Sequence, residues 1–266
     1  MPKPKIGIVG VGMVGGALNR YFVANKIKPL LYDKHQKNGS YAQINKADVI
    51  FICVPTPFYE KKGFNLFSVE EAIKMIKGKK IIVIKSTVLP GTTKKLQKKY
   101  PQHKILFNPE FLTEASADND MFYPDRQIVG YTKESYNVAS DIMRLLPLAP
   151  FERIIPATEA ETAKYFGNCW FSVKVIYANQ MYDLCRALKI NYDRVKECAA
   201  ADKRIGPSHL EIFHKGYRGY GGKCLPKDTK ALIQKGKELG VDLELLETAE
   251  KINNELIKQD EQNKDR

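Results

Sequence analysis

Short apolar runs alternate with amphipathic stretches through roughly the first 150 residues. Lys5-Ile6-Gly7-Ile8-Val9, Pro29-Leu30-Leu31-Tyr32, Ile81-Ile82-Val83-Ile84, Ile105-Leu106-Phe107 and Arg126-Gln127-Ile128-Val129-Gly130 read as strands. Asp48 to Val54 is apolar after its first residue, as a strand buried on both faces of a sheet should be. Helical patterns fall between them: a run through Ala17, Leu18, Tyr21 and Phe22, one over 68–77, one opening at Pro90-Gly91-Thr92-Thr93, and one ending near Leu145. Strands and helices in strict alternation predict an α/β domain with a mainly parallel sheet, over residues 1–157.

The pattern then changes. Thr158-Glu159-Ala160-Glu161 has the form of a capping box, which predicts a helix start. Phe166, Trp170, Val173, Tyr177, Met181, Leu184 and Leu188 follow in steps of three and four and make one apolar stripe. Thirty residues of helix span about 45 Å. A helix that long needs a partner surface, either a second copy related by a twofold axis or the rest of its own chain. Further helices are predicted over 191–201, 229–239 and 243–257, with an irregular segment at Arg204–His209 and a polar tail over 258–266. Residues 158–266 therefore read as an all-α domain.

Composition narrows the class. Of 266 residues, 44% are hydrophobic and 27% charged, the balance of a soluble globular protein. No apolar run is long enough for a membrane span, and Met1-Pro2-Lys3-Pro4-Lys5 leads straight into the first strand, so a cytoplasmic protein without a membrane partner is expected. The five cysteines include no C-x-x-C pair, which argues against a disulfide framework or a metal site and for a reducing compartment. The net charge of +13 is spread along the chain, in solvated lysines, without a nucleic-acid motif.

Several stretches carry candidate chemistry. Gly10-Val11-Gly12-Met13-Val14-Gly15 stands between strand and helix, as in a Rossmann-like dinucleotide fold. Gly10, Gly12 and Gly15 allow the tight turn and the close approach of a pyrophosphate, the following helix N-terminus supplies amides, and Met13 and Val14 between the glycines are expected along the cofactor. Asp33 lies about 20 residues on, where an acid holds the ribose hydroxyls of NAD. Cys53-Val54-Pro55-Thr56-Pro57 spans the end of the third strand, and Ser86-Thr87 and Asn108-Pro109-Glu110-Phe111-Leu112-Thr113-Glu114 each follow a strand, at the sheet edge where ligands of such folds sit. Glu110 and Glu114 have the chemistry of a general base or a water holder, and equally that of surface acids. Lys164 and Asn168 share one face of the long helix; the pair suits an oxyanion or simple exposure. Last comes Gly219-Tyr220-Gly221-Gly222-Lys223-Cys224-Leu225-Pro226-Lys227-Asp228. Its glycines let a ligand approach the backbone, and its lysines favour a thiolate at Cys224. The same residues would also make a turn with a buried, inert cysteine.

Taken together these stretches resemble the UDP-glucose/GDP-mannose dehydrogenase family. The resemblance rests on Gly10–Gly15, Cys53–Pro57, Ser86-Thr87-Val88 with Gly91-Thr92, Asn108–Leu112 with Glu114, Glu161 to Lys164 with Asn168, Arg204-Ile205-Gly206, and Gly219–Asp228. It implies oxidation of the C6 alcohol of a nucleotide sugar, UDP-glucose foremost, to a uronic acid for polysaccharide synthesis. The cofactor would be NAD, used twice, with no metal. Cys224 would trap the aldehyde as a thiohemiacetal that becomes a thioester. Glu110 would serve hydrolysis or proton transfer, with Thr87 and Asp228 holding the water. Lys164 and Asn168 would stabilise charge on the C6 oxygen. Cys53, Val54, Pro55, Thr56, Ser86, Thr87, Glu114 and Lys227 would lie along the cofactor. Glu110, Phe111, Leu112, Glu114, Lys164, Asn168, Tyr220, Gly221 and Cys224 would lie along the UDP- or GDP-sugar. Arg204 would come from the neighbouring subunit of a homodimer joined through the central helix.

The chain also departs from the family pattern. It ends where a second α/β domain would begin, so a separate chain is one conceivable source of that nucleotide-binding part. The stretch from Asp33 to Asp48 is short, and Ala115 stands where a glycine is usual. A non-catalytic NAD-binding assembly protein and a single-hydride dehydrogenase of the 3-hydroxyisobutyrate type are the alternatives. Neither needs a cysteine nucleophile.

Overall fold

The computed structural model describes residues 4–36, 38–214 and 216–264. Met1–Lys3 and the last two residues of the expected tail lie outside them. In chain order the elements are β1 (Ile6–Val9), α1 (Met13–Ala24), β2 (Leu30–Tyr32), α2 (Tyr41–Ile44), β3 (Val49–Ile52), β4 (Phe58–Tyr59), β5 (Gly63–Phe64), α3 (Phe67–Met75), β6 (Ile81–Ile84) and α4 (Thr92–Lys99). They continue with β7 (Lys104–Phe107), α5 (Ala117–Phe122), β8 (Arg126–Tyr131), α6 (Tyr136–Leu145), β9 (Phe151–Pro156), α7 (Ala157–Ala187), α8 (Tyr192–Ala200), α9 (Leu225–Glu238) and α10 (Glu244–Lys264).

The main sheet has the strand order β2-β1-β3-β6-β7-β8-β9. Every neighbouring pair is parallel except β7 with β8. This is the mainly parallel Rossmann-like sheet that the alternation of elements predicts. Side chains of successive residues point to opposite faces. Thus Val9, Ile50, Ile52, Ile82 and Ile84 join one core layer. Ile6, Ile8, Val49, Phe51 and Val83 join the other. Register, more than layering, decides where the loops emerge. Val9 pairs with Tyr32 and Ile52, Ile52 with Ile84, and Ile84 with Phe107. The residues next in sequence, Gly10, Asp33, Cys53, Lys85 and Asn108, therefore lie along one carboxyl edge.

By contact density the chain forms two compact units, Met1–Lys164 and Tyr165–Arg266. The expected boundary at 157/158 falls earlier, because the first turns of α7 belong to the sheet's core: Ala157 and Ala160 are buried in it. The second unit holds two small clusters. Val175, Ile176, Tyr220, Ala249 and Leu256 form one, and Ala178, Cys185, Tyr192, Leu210 and Ile212 the other.

Some elements were not legible in the hydrophobic pattern. β9 is the exposed edge of the sheet and shows no apolar run. The hairpin β4–β5 and the helices α2 and α5 are each too short for a period to emerge. α10 runs through the expected polar tail, to Lys264. Thr158 lies inside α7, which begins at Ala157, so the capping box does not cap this helix. The carboxylate of Glu161 is engaged elsewhere.

Candidate active site

In the first unit, the glycine loop after β1 is shaped by contacts that only glycine permits. Gly10 has φ +87°, and a Cβ there would stand 2.7 Å from the Cys53 carbonyl oxygen. A Cβ on Gly15 would meet the Gly10 carbonyl oxygen at 1.9 Å. Gly12 is different: a Cβ would meet nothing within 4 Å, so the space above it is open. That combination, a closed turn beneath and a clear approach at the start of α1, fits a dinucleotide pyrophosphate. A pocket beside it is lined by Gly10, Asp33, Tyr41, Val54, Pro55 and Glu71.

Asp33 is buried, and its carboxylate accepts amides from Val11 at 2.7 Å, His35 at 2.9 Å and Gln36 at 3.0 Å. Burial pushes its carboxyl up, but the three amides outweigh it and hold the group below the ordinary range. A carboxylate has about four acceptor positions, so one stays available for a ribose hydroxyl. Lys34 faces Glu71 at 3.8 Å across the pocket mouth. Of this pocket's lining, Tyr41 and Glu71 were not marked by sequence; nothing in their spacing signals a site.

The loops after β3, β6 and β7 are tied together. Thr56 donates to the Thr87 carbonyl at 2.7 Å, and Ser86 donates to the Val54 carbonyl at 2.7 Å. Lys85 is buried, and its ammonium donates to Asn108 Oδ1 at 2.6 Å. Asn108 in turn donates to Gln127 Oε1 at 2.9 Å and the Ile128 carbonyl at 2.8 Å. Burial pulls Lys85 down to about 8, against the neighbouring Cys53 and Glu110. Burial pushes the Cys53 thiol up to about 12, so this sulfur packs rather than reacts.

Glu110 and Lys164 form the charged heart of this unit. The Lys164 ammonium lies 2.9 Å from Glu110 Oε1, with both side chains nearly inaccessible. Glu110 Oε2 accepts the Leu112 amide at 2.8 Å. Burial pushes Glu110 up, but Lys164, the Leu112 amide and Lys85 together bring it below the ordinary carboxylate range. Phe111 lies under the Arg126 guanidinium at 4.0 Å and near Lys164 at 5.5 Å. The two carboxylates of this loop thus differ in burial: Glu110 is buried, whereas Glu114 is exposed.

In the second unit, Cys224 is exposed and occupies the N-cap of α9. Pro226 lies in the first turn, where its missing N–H costs nothing. Asp228, buried, takes the Asn168 side-chain amide at 2.6 Å and pairs with the Lys227 ammonium. Ser172 and Thr229 share a hydrogen bond at 2.8 Å one turn further along. α9 is thereby fastened to α7 just past Cys224. Cys169 is buried, and burial with the nearby Asp228 pushes its thiol up to about 12.

The glycine segment before Cys224 is fixed by its neighbours. Gly219 has φ +82°, and a Cβ there would meet Asn253 Oδ1 at 2.4 Å. Asn253 grips both polar groups of the Tyr220 backbone, at 2.6 and 2.9 Å. The Tyr220 ring is buried and its hydroxyl donates to Glu250 at 2.7 Å. The segment turns the Tyr220 side chain inward, where it anchors a cluster of this unit. Gly221 packs on Tyr217, whose hydroxyl a Cβ would approach to 2.4 Å. Arg204 is 90% exposed and pairs with Asp202 at 2.6 Å.

Comparison with known proteins gives this arrangement its kin. Residues 33–146 match the NAD binding domain of the UDP-glucose/GDP-mannose dehydrogenase family, and residues 158–255 match its central domain. The chain belongs to the UDP-glucose/GDP-mannose dehydrogenase family. The UDP-glucose 6-dehydrogenase YwqF of Bacillus subtilis is 34% identical over 252 residues, which cover 85% of this chain and 55% of that protein. The UDP-glucose 6-dehydrogenase of Pseudomonas aeruginosa is 33% identical over 78% of this chain and 48% of its own length. The chain thus spans about half the length of the curated relatives it matches. Among solved structures, a UDP-glucose dehydrogenase from Pyrobaculum islandicum superposes with a TM-score of 0.83 at 27% identity, over 94% of this chain and 68% of that one. Family membership agrees with the dinucleotide cradle, and with NAD as the cofactor of the first unit. Among the described residues no helix is long and apolar enough to cross a membrane.

Proposed function

We propose that this chain carries out the NAD-dependent oxidation of a nucleotide sugar, UDP-glucose first, at its C6 hydroxyl to give the uronic acid. The observation that carries the reading is Cys224, an exposed sulfur at the N-cap of α9 with Asp228 fixed one turn later. Family kinship supports it, since the relatives that match over most of this chain bear the name UDP-glucose 6-dehydrogenase.

NAD, bound over Gly10–Gly15 with its ribose at Asp33, supplies the two-electron acceptor at each oxidation. The chain's own groups do the rest. Lys164, the cation paired with Glu110, stabilises negative charge on the C6 oxygen, with Asn168 as a neutral donor. The Cys224 sulfur adds to the aldehyde carbon, so a C–S bond forms, the carbonyl π bond opens and the oxygen takes a proton. The amides at the start of α9 favour a sulfur anion. After the second oxidation a water attacks the thioester carbon; the C–S bond breaks and the sulfur leaves as thiolate. Glu110 takes the proton that the attacking water loses. In the first unit Glu114, Leu112 and Phe111 line the sugar nucleotide, and Cys53, Pro55 and Thr56 line the cofactor.

We also assign this chain to a homodimer through α7 and to the cytoplasm. Phe166, Trp170, Tyr177, Leu184 and Leu188 are all exposed, along α7 and just past its end, a stripe too apolar to be left to water. Such a dimer would give the exposed Arg204 a neighbour's substrate to meet. Turnover is tested with Cys224→Ser. NADH formation from UDP-glucose should fall at least about 10³-fold while NAD binding stays unchanged. A variant that keeps wild-type turnover would remove Cys224 from the chemistry.

A further inference from the structure

Glu161 is fully buried on the second turn of α7, and its carboxylate reaches across to another helix. Oε2 accepts the Gly91 amide at 2.6 Å and Oε1 accepts the Thr93 amide at 2.7 Å. Those amides open α4. Its N-cap is Gly91, at φ +90°, a residue with no side chain to cap anything. Helix-opening amides need an acceptor, and their partial positive charge favours an anion. Glu161 supplies both from a distant point in the chain. Burial pushes its carboxyl up to about 7 even though those amides pull it down. An acid held in so dry a place costs stability when ionised, so capping alone is a poor account of it.

Its neighbours suggest more. Lys164 is three residues further along α7, on the same side of the helix, and pairs with Glu110 at 2.9 Å. On the other side of the contact, Gly91 ends the loop that leaves β6 through Ser86 and Thr87, and both of those are tied to the loop after β3. One carboxylate thus joins the turn that presents the ammonium to the loop that borders the cofactor edge. We propose that Glu161 is a positioning residue, a strut that holds the Lys164 turn of α7 in register with the Ser86–Gly91 loop. Its part in turnover rests on the function proposed above; the strut itself does not.

The test uses the full chain with Glu161→Gln, which keeps the size but turns a donor toward one of the two amides, and Glu161→Asp, which keeps the charge. Two readouts need no substrate: amide hydrogen exchange at Gly91 and Thr93, and the rate at which acetic anhydride modifies Lys164. In Glu161→Gln both should rise, by about tenfold for exchange and several-fold for modification. Turnover should fall about tenfold, and Glu161→Asp should recover part of each. Faster exchange with Lys164 modification unchanged would reduce Glu161 to a helix cap and overturn the proposal. No change in either readout would overturn it as well. Changed readouts in a chain whose wild type never reduces NAD would uphold the strut and refute the function. Should the Gln variant fail to fold, the Asp variant carries the same readouts at smaller amplitude.

Discussion

At the scale of single residues, the strongest physical constraint is the buried pair of Lys164 and Glu110. Two charges out of water stay charged only while each has the other, and Leu112 and Lys85 add to the support of the carboxylate. Because Glu110 is held below its ordinary range, it contributes stability above that range, and the contribution is lost as pH falls through the depressed value. Lys164→Met removes the partner and strands the carboxylate. The variant should lose about 3–5 kcal/mol at neutral pH by urea denaturation. Glu110 should then take up a proton above its ordinary range, so the gap to wild type should narrow as pH falls toward 4.5. A gap independent of pH would mean that the pair is not ionised. The sequence showed Glu110 and Lys164 as separate candidates. It could not show them facing each other, because 54 residues separate them and only the sheet's register and the first turns of α7 bring them together. The burial of Lys85 and its bond to Asn108 could not be read for a similar reason: a lysine after an apolar strand reads as a surface residue until its burial is known.

Among elements, α7 explains most. Its early turns belong to the sheet's core through Ala157 and Ala160, and its later turns carry the exposed stripe. Steps of three and four foretold the helix and the stripe, since periodicity is a local property. What the stripe faces is not local, and the pattern alone left self-packing open. In the structure Phe166 is 76% exposed and Tyr177 61% exposed, so the rest of the second unit does not cover them. Trp170→Asp, in the middle of that face, should turn a dimer into a monomer in sedimentation velocity with the monomer's fold intact. A wild-type chain that sediments as a monomer at any attainable concentration would dismiss the dimer. The Thr158–Glu161 pattern is an instructive failure at this scale. The motif has the composition of a helix start, and a helix does start there. Yet the acid serves α4, whose own cap position is a glycine and so sends no signal in the sequence.

For the molecule as a whole, the mainly parallel sheet and the helical second half were legible because alternation and period report directly on fold class. The parallel register then does what no motif can: it sets the ends of β1, β2, β3, β6 and β7 level, so that five separate stretches of sequence share one edge. In the second unit the same economy appears in the glycine segment, where Asn253 and Glu250 on α10 fix Tyr220 and so the approach to Cys224. The net charge of +13 also belongs to this scale, and a positive field of that kind attracts small anions in general at low ionic strength.

The central claim is that one sulfur carries a substrate through two successive oxidations. The direct measurement is the count of NADH formed per molecule of uronic acid released, with purified chain, excess NAD and a panel of UDP- and GDP-sugars. The account predicts two NADH per product, with no free aldehyde building up. A single NADH per product, or none with any nucleotide sugar, would contradict it.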